Sequence, residues 1–175
     1  MKYHPPPAED YMMWSNVYPL THIYNVQRTL FHYRTHPTQI STSRREAQIV
    51  KSNKVRLKML KWLSPNFSDD EKLYFLNNFV PCKIEQKQDI YGLQQFADIL
   101  VSRNIQGHYS SDALRHKFNS HIAYGVLEFA ERTYFAQRYT PMALVQLISD
   151  GLYSMLPKKN RRKILVKCLI LKIKN

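Results

Sequence analysis

The sequence is poor in glycine, cysteine and acidic residues. Four glycines among 175 residues, with few alternating apolar and polar runs, predict a mainly helical protein rather than a sheet protein. Two cysteines, Cys82 and Cys168, are too few for a disulfide framework and stand at no zinc-ligand spacing, so we expect a reducing, cytoplasmic location. Thirteen acidic residues oppose 26 basic ones, and the net charge of +13 predicts an anionic partner.

Long apolar runs are also missing. The most apolar stretch, residues 164–173, is interrupted by Lys167 and Lys172 and is shorter than the roughly 20 residues that a membrane-spanning helix needs. Residues 1–10 are rich in proline and lack the apolar segment of a secretory signal. We therefore expect no membrane partner.

Catalytic signatures are absent as well. The sequence has no glycine-rich phosphate loop, nucleophile elbow or zinc-protease pattern. His32 and His36 have the four-residue spacing of a ligand pair, but Pro37 follows and no third ligand is near. The consecutive acids at 69–71 point in different directions on a helix, which suits a helix start better than a magnesium site. The chain is predicted to be no enzyme and to hold no metal or cofactor.

The positive charge is concentrated towards the two ends of the chain. Basic and acidic residues number 11 and 6 in residues 1–80, 7 and 6 in residues 81–140, and 8 and 1 in residues 141–175. This pattern predicts a folded centre with basic extensions that follow a polyanion. We predict an irregular N-terminal extension over 1–43, a helical nucleic-acid-binding domain over 44–156 and a basic C-terminal helix or tail over 157–175. Within the tail, residues 158–163 are expected to add non-specific affinity.

Helix signals divide the central region. Apolar spacing predicts a helix over 44–63, which Ser64 and Pro65 end. Further helices are predicted to begin near Ser68, after the short polar stretch that follows Pro81, at residues 110–112 and at Thr140 with Pro141, and Gly125 is expected to bend or divide the fourth. On the first helix, four lysines form one stripe that suits either a phosphate contact or an ordinary solvated face; they are Lys51, Lys54, Lys58 and Lys61.

A motif near the middle of the chain resembles the ProQ/FinO family of RNA chaperones. Pro81, Lys83 and Ile84, followed by Asp89 and Ile90, match that family's Pro-Leu-Lys-Ile-Gly-Ile and Asp-Ile elements at the right spacing. The resemblance covers about residues 55–135 and includes the Leu-Arg pair at 114–115 and the Pro-Asn-Phe sequence at 65–67. Glu85 replaces the family's glycine, the family's Tyr-Thr falls on His121 and Ile122, and its β-hairpin has no counterpart here.

The resemblance implies a helical domain that grips the base of an RNA stem-loop and takes its single-stranded 3′ tail. Lys83 and Arg115 carry over as RNA contacts, and His121 stands in for a family tyrosine. The residues alone point the same way, because double-stranded RNA is recognised through phosphates and 2′-hydroxyls by donors such as Lys87 and Lys117 beside helix starts. For Arg115, an ion pair with Asp112 is the competing interpretation.

Three other functions fit the composition to different degrees. A non-catalytic subunit of a ribonucleoprotein or of a viral or plasmid assembly fits it equally well, with the aromatic N-terminal segment docked on protein and the basic end on nucleic acid. A helix-turn-helix DNA-binding protein is disfavoured because residues 102–111 are too long for its turn. An enzyme such as a nuclease is the least favoured.

Overall fold

Helices make up all the regular structure in the part of the chain that the computed structural model describes. That part consists of residues 8–21, 23–24, 26–30, 45–105, 107 and 109–169, and it contains no strand. The prediction of a mainly helical protein is confirmed. The described residues fall into two compact units with a boundary between Ser68 and Asp69, here called unit 1 and unit 2. The domain limits at 43/44 and 156/157 stay predictions.

Unit 1 contains helix α1 (Glu9–Val17), a short 3-10 helix (Tyr18–Leu20) and helix α2 (Arg45–Leu60). The expectation of irregular structure is therefore wrong for residues 9–20. Glu9 and Asp10 occupy the first turn of α1, where negative charge stabilises a helix. Pro19 is tolerated because it lies in the first turn of the 3-10 helix. The prolines and aromatics expected between 31 and 43 lie outside the described residues.

Helix α2 is shorter than the sequence predicted, because its last turn loosens. Beyond Leu60, the amides of Trp62 and Leu63 donate to the carbonyls of residues 59 and 60, three positions back. This tightening is common at a helix end. Helix α1 packs against α2, and the buried side chains of Val55 and Leu60 lie on the apolar side of α2.

Unit 2 contains five helices that follow the predicted order. They are α3 (Asp69–Tyr74), which continues as a π-helical turn (Phe75–Phe79), then α4 (Lys87–Ser102), α5 (Ser111–Thr133), α6 (Pro141–Ser149), and, after a 3-10 helix (Tyr153–Met155), α7 (Lys158–Leu169). Helices α4 and α5 pack against each other, and α6 packs against α7.

The capping residues explain where these helices begin. The side chains of Ser110 and Thr140 accept hydrogen bonds from the amides of Ala113 and Ala143, three residues ahead, as the sequence predicted. At α4, the carboxylate of Asp89 accepts from the amides of Glu85 and Gln86 at 2.8 and 3.0 Å. Burial of Asp89 slightly opposes these bonds, but the Glu85 amide dominates and lowers the pKa of the carboxyl.

Aromatic rings build the centre of unit 2. Phe79 is 3% exposed, and its ring lies 5.4 Å from that of Phe96 and 5.2 Å from that of Phe118. Burying a phenylalanine of this kind typically stabilises a fold by about 3 kcal/mol. This cluster joins the end of the π-helical turn to both long helices.

Gly125 does not bend or divide α5, as the sequence had suggested, because the helix runs unbroken from 111 to 133. The residue makes room for a neighbour. A Cβ atom at this position would lie 2.2 Å from Sγ of Cys82 and 3.1 Å from Cδ1 of Ile84. Cys82 itself has a φ of 50°, which is uncommon for a residue with a side chain. The close approach therefore fixes the loop before α4 against α5.

Candidate nucleic-acid interface

Helix α7 carries a concentrated, exposed positive charge. Six of its twelve residues are basic and none is acidic. Lys158, Lys159, Arg162 and Lys163 are exposed and make no ion pair with the described residues. These four side chains are called the cationic helix face below.

The helical geometry directs this face outwards. At 100° per residue the four cations occupy a sector of about 140°, opposite the buried side chains of Ile164 and Cys168. All four lie in the first half of the helix, where the backbone dipole adds further positive potential. Cations at that end repel the dipole, so the arrangement disfavours the free helix and favours an anion bound at its N-terminal end.

The remaining cations of α7 serve packing. Arg161 Nε donates to the carbonyl of Leu156 at 2.8 Å. Lys167 Nζ lies 4.2 Å from the ring centroid of Tyr139, and that ring stacks on Phe135 with centroids 4.7 Å apart. These contacts hold α7 on the body of unit 2 and leave the cationic helix face to solvent.

The predicted RNA contacts Lys83 and Lys87 both pair with carboxylates. Lys83 Nζ lies 3.1 Å from Glu85, and Lys87 pairs with Asp150, which also accepts a hydrogen bond from Tyr134. The bonds from Lys87 and Tyr134 lower the pKa of Asp150. Both lysines keep about half of their side-chain surface exposed, so a phosphate has to compete with these carboxylates.

Arg115, Lys117 and His121 lie along α5 in three different environments. Arg115 donates to Asp98 of α4 at 2.8 Å and not to Asp112, the partner considered from the sequence. Lys117 is exposed. The His121 ring is partly buried against Phe79, and Nε2 lies 2.8 Å from the Phe79 carbonyl oxygen. We conclude that His121 serves the core cluster.

Lys83 and Arg115 belong to different elements of unit 2. The loop that carries Lys83 packs against Gly125 through Cys82, whereas Arg115 belongs to the second turn of α5. Ten residues of α-helix separate Arg115 from Gly125, a rise of about 15 Å. The two cations thus lie on different elements, and each has its own carboxylate partner.

Side chains of the protein itself accept hydrogen bonds at two helix starts. The predicted phosphate contacts at helix N-termini require free amide donors. At α4 the Asp89 carboxylate accepts from the amides of Glu85 and Gln86, just before the helix, and its negative charge disfavours a phosphate there. At α5 the Ser110 hydroxyl accepts from the first-turn amide of Ala113. At α4 and α5, anion binding therefore depends on side-chain cations more than on the helix starts.

The lysine stripe of α2 also separates into different environments. Lys58 Nζ hydrogen-bonds Asn16 and lies 3.5 Å from Ser15 Oγ and 5.6 Å from the Trp62 ring centroid. Lys54 and Lys61 are exposed, and Lys51 is half-buried. Of the four lysines, Lys54 and Lys61 are therefore exposed to a ligand, whereas contacts with α1 hold the ammonium group of Lys58 in place.

An acid-lined groove between α3 and α4 is unsuited to nucleic acid. Its volume is about 360 Å³, and Asp70 and Glu71 stand beside an aromatic floor of Tyr74 and Phe96. Asp69 pairs with Lys72 at 2.8 Å, and Glu71 pairs with Arg103. Within the described residues, no group of three or more histidine, cysteine or acidic side chains is placed to hold a metal.

Neither cysteine is an activated nucleophile. Burial raises the pKa of the Cys82 thiol to about 11, and Glu128 adds to this effect. Burial also raises the pKa of Cys168. Both thiols are free and protonated at neutral pH.

Comparison with known protein families, with curated proteins and with solved structures found no match to this chain. In the described residues, no helix is both long and apolar enough to cross a bilayer. The candidate site is therefore inferred from the structure of this chain alone. From the sequence, residues 158–163 were expected to add only non-specific affinity. Their spacing on a helix without acids is nevertheless a signal for a cationic site.

Proposed function

We propose that this chain is a non-catalytic RNA-binding protein that holds stem-loops with a single-stranded 3′ tail. The main observation that supports this function is the cationic helix face, which consists of four exposed cations on a helix without acids. Phosphate contacts dominate the affinity of such surfaces. The resemblance to ProQ/FinO chaperones favours RNA over DNA and keeps Lys83, Lys87, Arg115 and Lys117 as further candidate contacts. The two free cysteines agree with a cytoplasmic location.

The first experiment compares ligands for the unmodified chain. A fluorescently labelled RNA hairpin with a 3′ tail is titrated beside duplex DNA of equal length at the same salt concentration. We expect tighter binding of the RNA, because a surface matched to A-form geometry and a free end discriminates by shape. Equal affinity would contradict the RNA preference, and binding of neither would contradict the proposed function.

Two variants with the same change of charge locate the site. The helix-face variant replaces Lys158, Lys159, Arg162 and Lys163 with Gln, and the paired-cation variant replaces Lys72, Lys83, Lys87 and Arg115 with Gln. We expect the helix-face variant to lose much more affinity, because its cations have no carboxylate to neutralise them. A larger loss of affinity in the paired-cation variant would indicate that the RNA binds at the paired cations and not at the cationic helix face. Circular dichroism checks that both variants fold.

A second candidate function, a subunit of a nucleoprotein assembly, is favoured by the outer side of α6. Met142, Val145 and Ile148 are 75, 60 and 50% exposed there, and exposed apolar patches commonly mark protein interfaces. Sedimentation velocity separates the two functions. A monomer that binds hairpins alone supports the first function, whereas concentration-dependent assembly that Val145→Lys abolishes supports the second.

A further inference from the structure

Unit 1 exposes aromatic rings that a small helical unit would normally bury. Tyr18 and Trp62 stack with centroids 6.0 Å apart and planes 14° apart. Trp14 lies one helical turn before Tyr18, whose amide donates to the Trp14 carbonyl. Trp14 is 50% exposed and Tyr18 is 40% exposed. These three side chains, Trp14, Tyr18 and Trp62, are called the aromatic surface.

Positive charge borders the aromatic surface. Lys58 Nζ lies 5.6 Å from the Trp62 ring centroid, and its hydrogen-bond partners Ser15 and Asn16 are neutral. They hold the ammonium group in place without neutralising it. Lys54 lies one turn before Lys58 on α2, Lys61 directly precedes Trp62 in the chain, and both lysines are exposed. None of these three lysines makes an ion pair with the described residues.

We propose that the aromatic surface binds the unpaired bases of a single-stranded RNA segment, with Lys54, Lys58 and Lys61 taking its phosphates. Rings with cations alongside them are the recurring arrangement for single strands, since every base offers a flat face for stacking. The inference rests on the proposed function for its ligand class, but it assigns a separate site on unit 1.

Charge and shape favour this occupant over a peptide. An acidic peptide would also be attracted by the lysines, but a stable peptide site buries anchor side chains in pockets. Two of the three rings of the aromatic surface, those of Trp14 and Tyr18, are instead 50 and 40% exposed. Exposed rings suit stacking by flat bases, and the ordered ammonium of Lys58 provides a fixed point of positive charge beside them.

Intrinsic fluorescence tests the proposal directly, because the two tryptophans of the chain are Trp14 and Trp62. The full chain is titrated with an eight-nucleotide oligouridine and with an abasic backbone of the same length and charge. We expect oligouridine to quench the emission and the abasic strand to bind about 5-fold or more weakly, which is the loss of at least one base–aromatic stack. Equal affinity for the two strands would overturn stacking.

Variants of Tyr18 refine the test. Tyr18→Leu should weaken oligouridine binding about 5- to 150-fold, whereas Tyr18→Phe keeps the ring and should bind normally. Tyr91→Leu is the matched control, since Tyr91 is 62% exposed on α4 of unit 2. If Tyr18→Leu disturbs folding by circular dichroism, Trp14→Ala serves in its place with the same expected direction. Oligouridine affinities unchanged by both Tyr18→Leu and Trp14→Ala would overturn the proposal.

The controls separate this proposal from the proposed function. If a blunt hairpin binds normally and the aromatic variants bind oligouridine as tightly as the parent chain, only the proposal for the aromatic surface is overturned. Quenching by polyglutamate as strong as that by oligouridine would also overturn it in favour of an acidic protein partner. Failure to bind any RNA, hairpin or single strand, would contradict the proposed function itself.

Discussion

The two units of the molecule differ in whether their cations are paired with acids and whether their aromatic rings are buried. In unit 2, Lys83, Lys87 and Arg115 pair with carboxylates, and the ring of Phe79 is buried. In unit 1, the contacts of Lys58 within the described residues are with neutral groups and a ring, while half of Trp14 is exposed. Helix α7 belongs to unit 2 but resembles unit 1 in its exposed, unneutralised charge.

This contrast shows that the net charge of a chain does not say where the charge is available. A cation that already contacts a carboxylate gains less from a phosphate, because the new contact replaces an old one. Available positive charge lies where acids are missing, on the cationic helix face and beside the aromatic surface. In unit 2, the close approach of Cys82 to Gly125 makes the fold sensitive to changes in packing.

The largest effect on stability is expected at Gly125, where unit 2 has no room for added volume. Gly125→Ala should destabilise the protein by about 1–3 kcal/mol in urea unfolding, since the new methyl group overlaps the Cys82 sulfur. A normal helix-propensity gain of up to about 1 kcal/mol opposes this loss. Adding Cys82→Gly should restore much of the stability, because it removes the sulfur and suits the positive φ.

Gly92 provides the matched control. A Cβ there meets only the hydroxyl of Tyr74, at 2.9 Å, and Tyr74 is half-buried, so its ring tip can move. Gly92→Ala should be close to neutral. If Gly125→Ala is equally neutral, the loop at Cys82 is packed more loosely against α5 than the close approach of its sulfur implies.

A smaller, pH-dependent effect is expected at Asp89, which satisfies the start of α4. Asp89→Ala should cost about 1 kcal/mol near pH 7. Folding lowers the pKa of this carboxyl, so its contribution is present above the unfolded pKa of about 3.9 and is lost as pH falls through the folded value. Urea unfolding at several pH values should show the variant and the parent converging in acid. The control Asp112→Ala, at an exposed acid in the first turn of α5, should lower the free energy of unfolding less. Equal losses of stability in the two variants would argue against the role of Asp89 at the start of α4.

Much of the fold could be predicted from the sequence because its signals are local. Ser110 and Thr140 cap the helices that their positions indicated, and the acids at 69–71 open α3. The errors came from tertiary contacts. Gly125 was expected to interrupt a helix, but it accommodates Cys82, and the segment around Trp14 forms a helix that packs on α2.

The candidate site was less predictable, since pairing across the fold decides which cations are available. Nothing in the sequence indicates that Arg115 contacts Asp98 or that His121 faces the Phe79 carbonyl. The stacking of Tyr18 on Trp62 likewise joins residues more than forty positions apart. Only the acid-free run from 158 to 163 was visible as a local pattern.

The salt dependence of hairpin binding tests most directly whether unneutralised cations form the site. The affinity for a blunt RNA hairpin is measured at several salt concentrations for the parent chain, the helix-face variant and the paired-cation variant. We predict that the helix-face variant flattens the slope of log affinity against log salt by roughly 0.7–0.9 per lost phosphate contact, and that the paired-cation variant flattens it much less. Equal slopes for the parent chain and the helix-face variant would contradict the assignment of RNA binding to the cationic helix face.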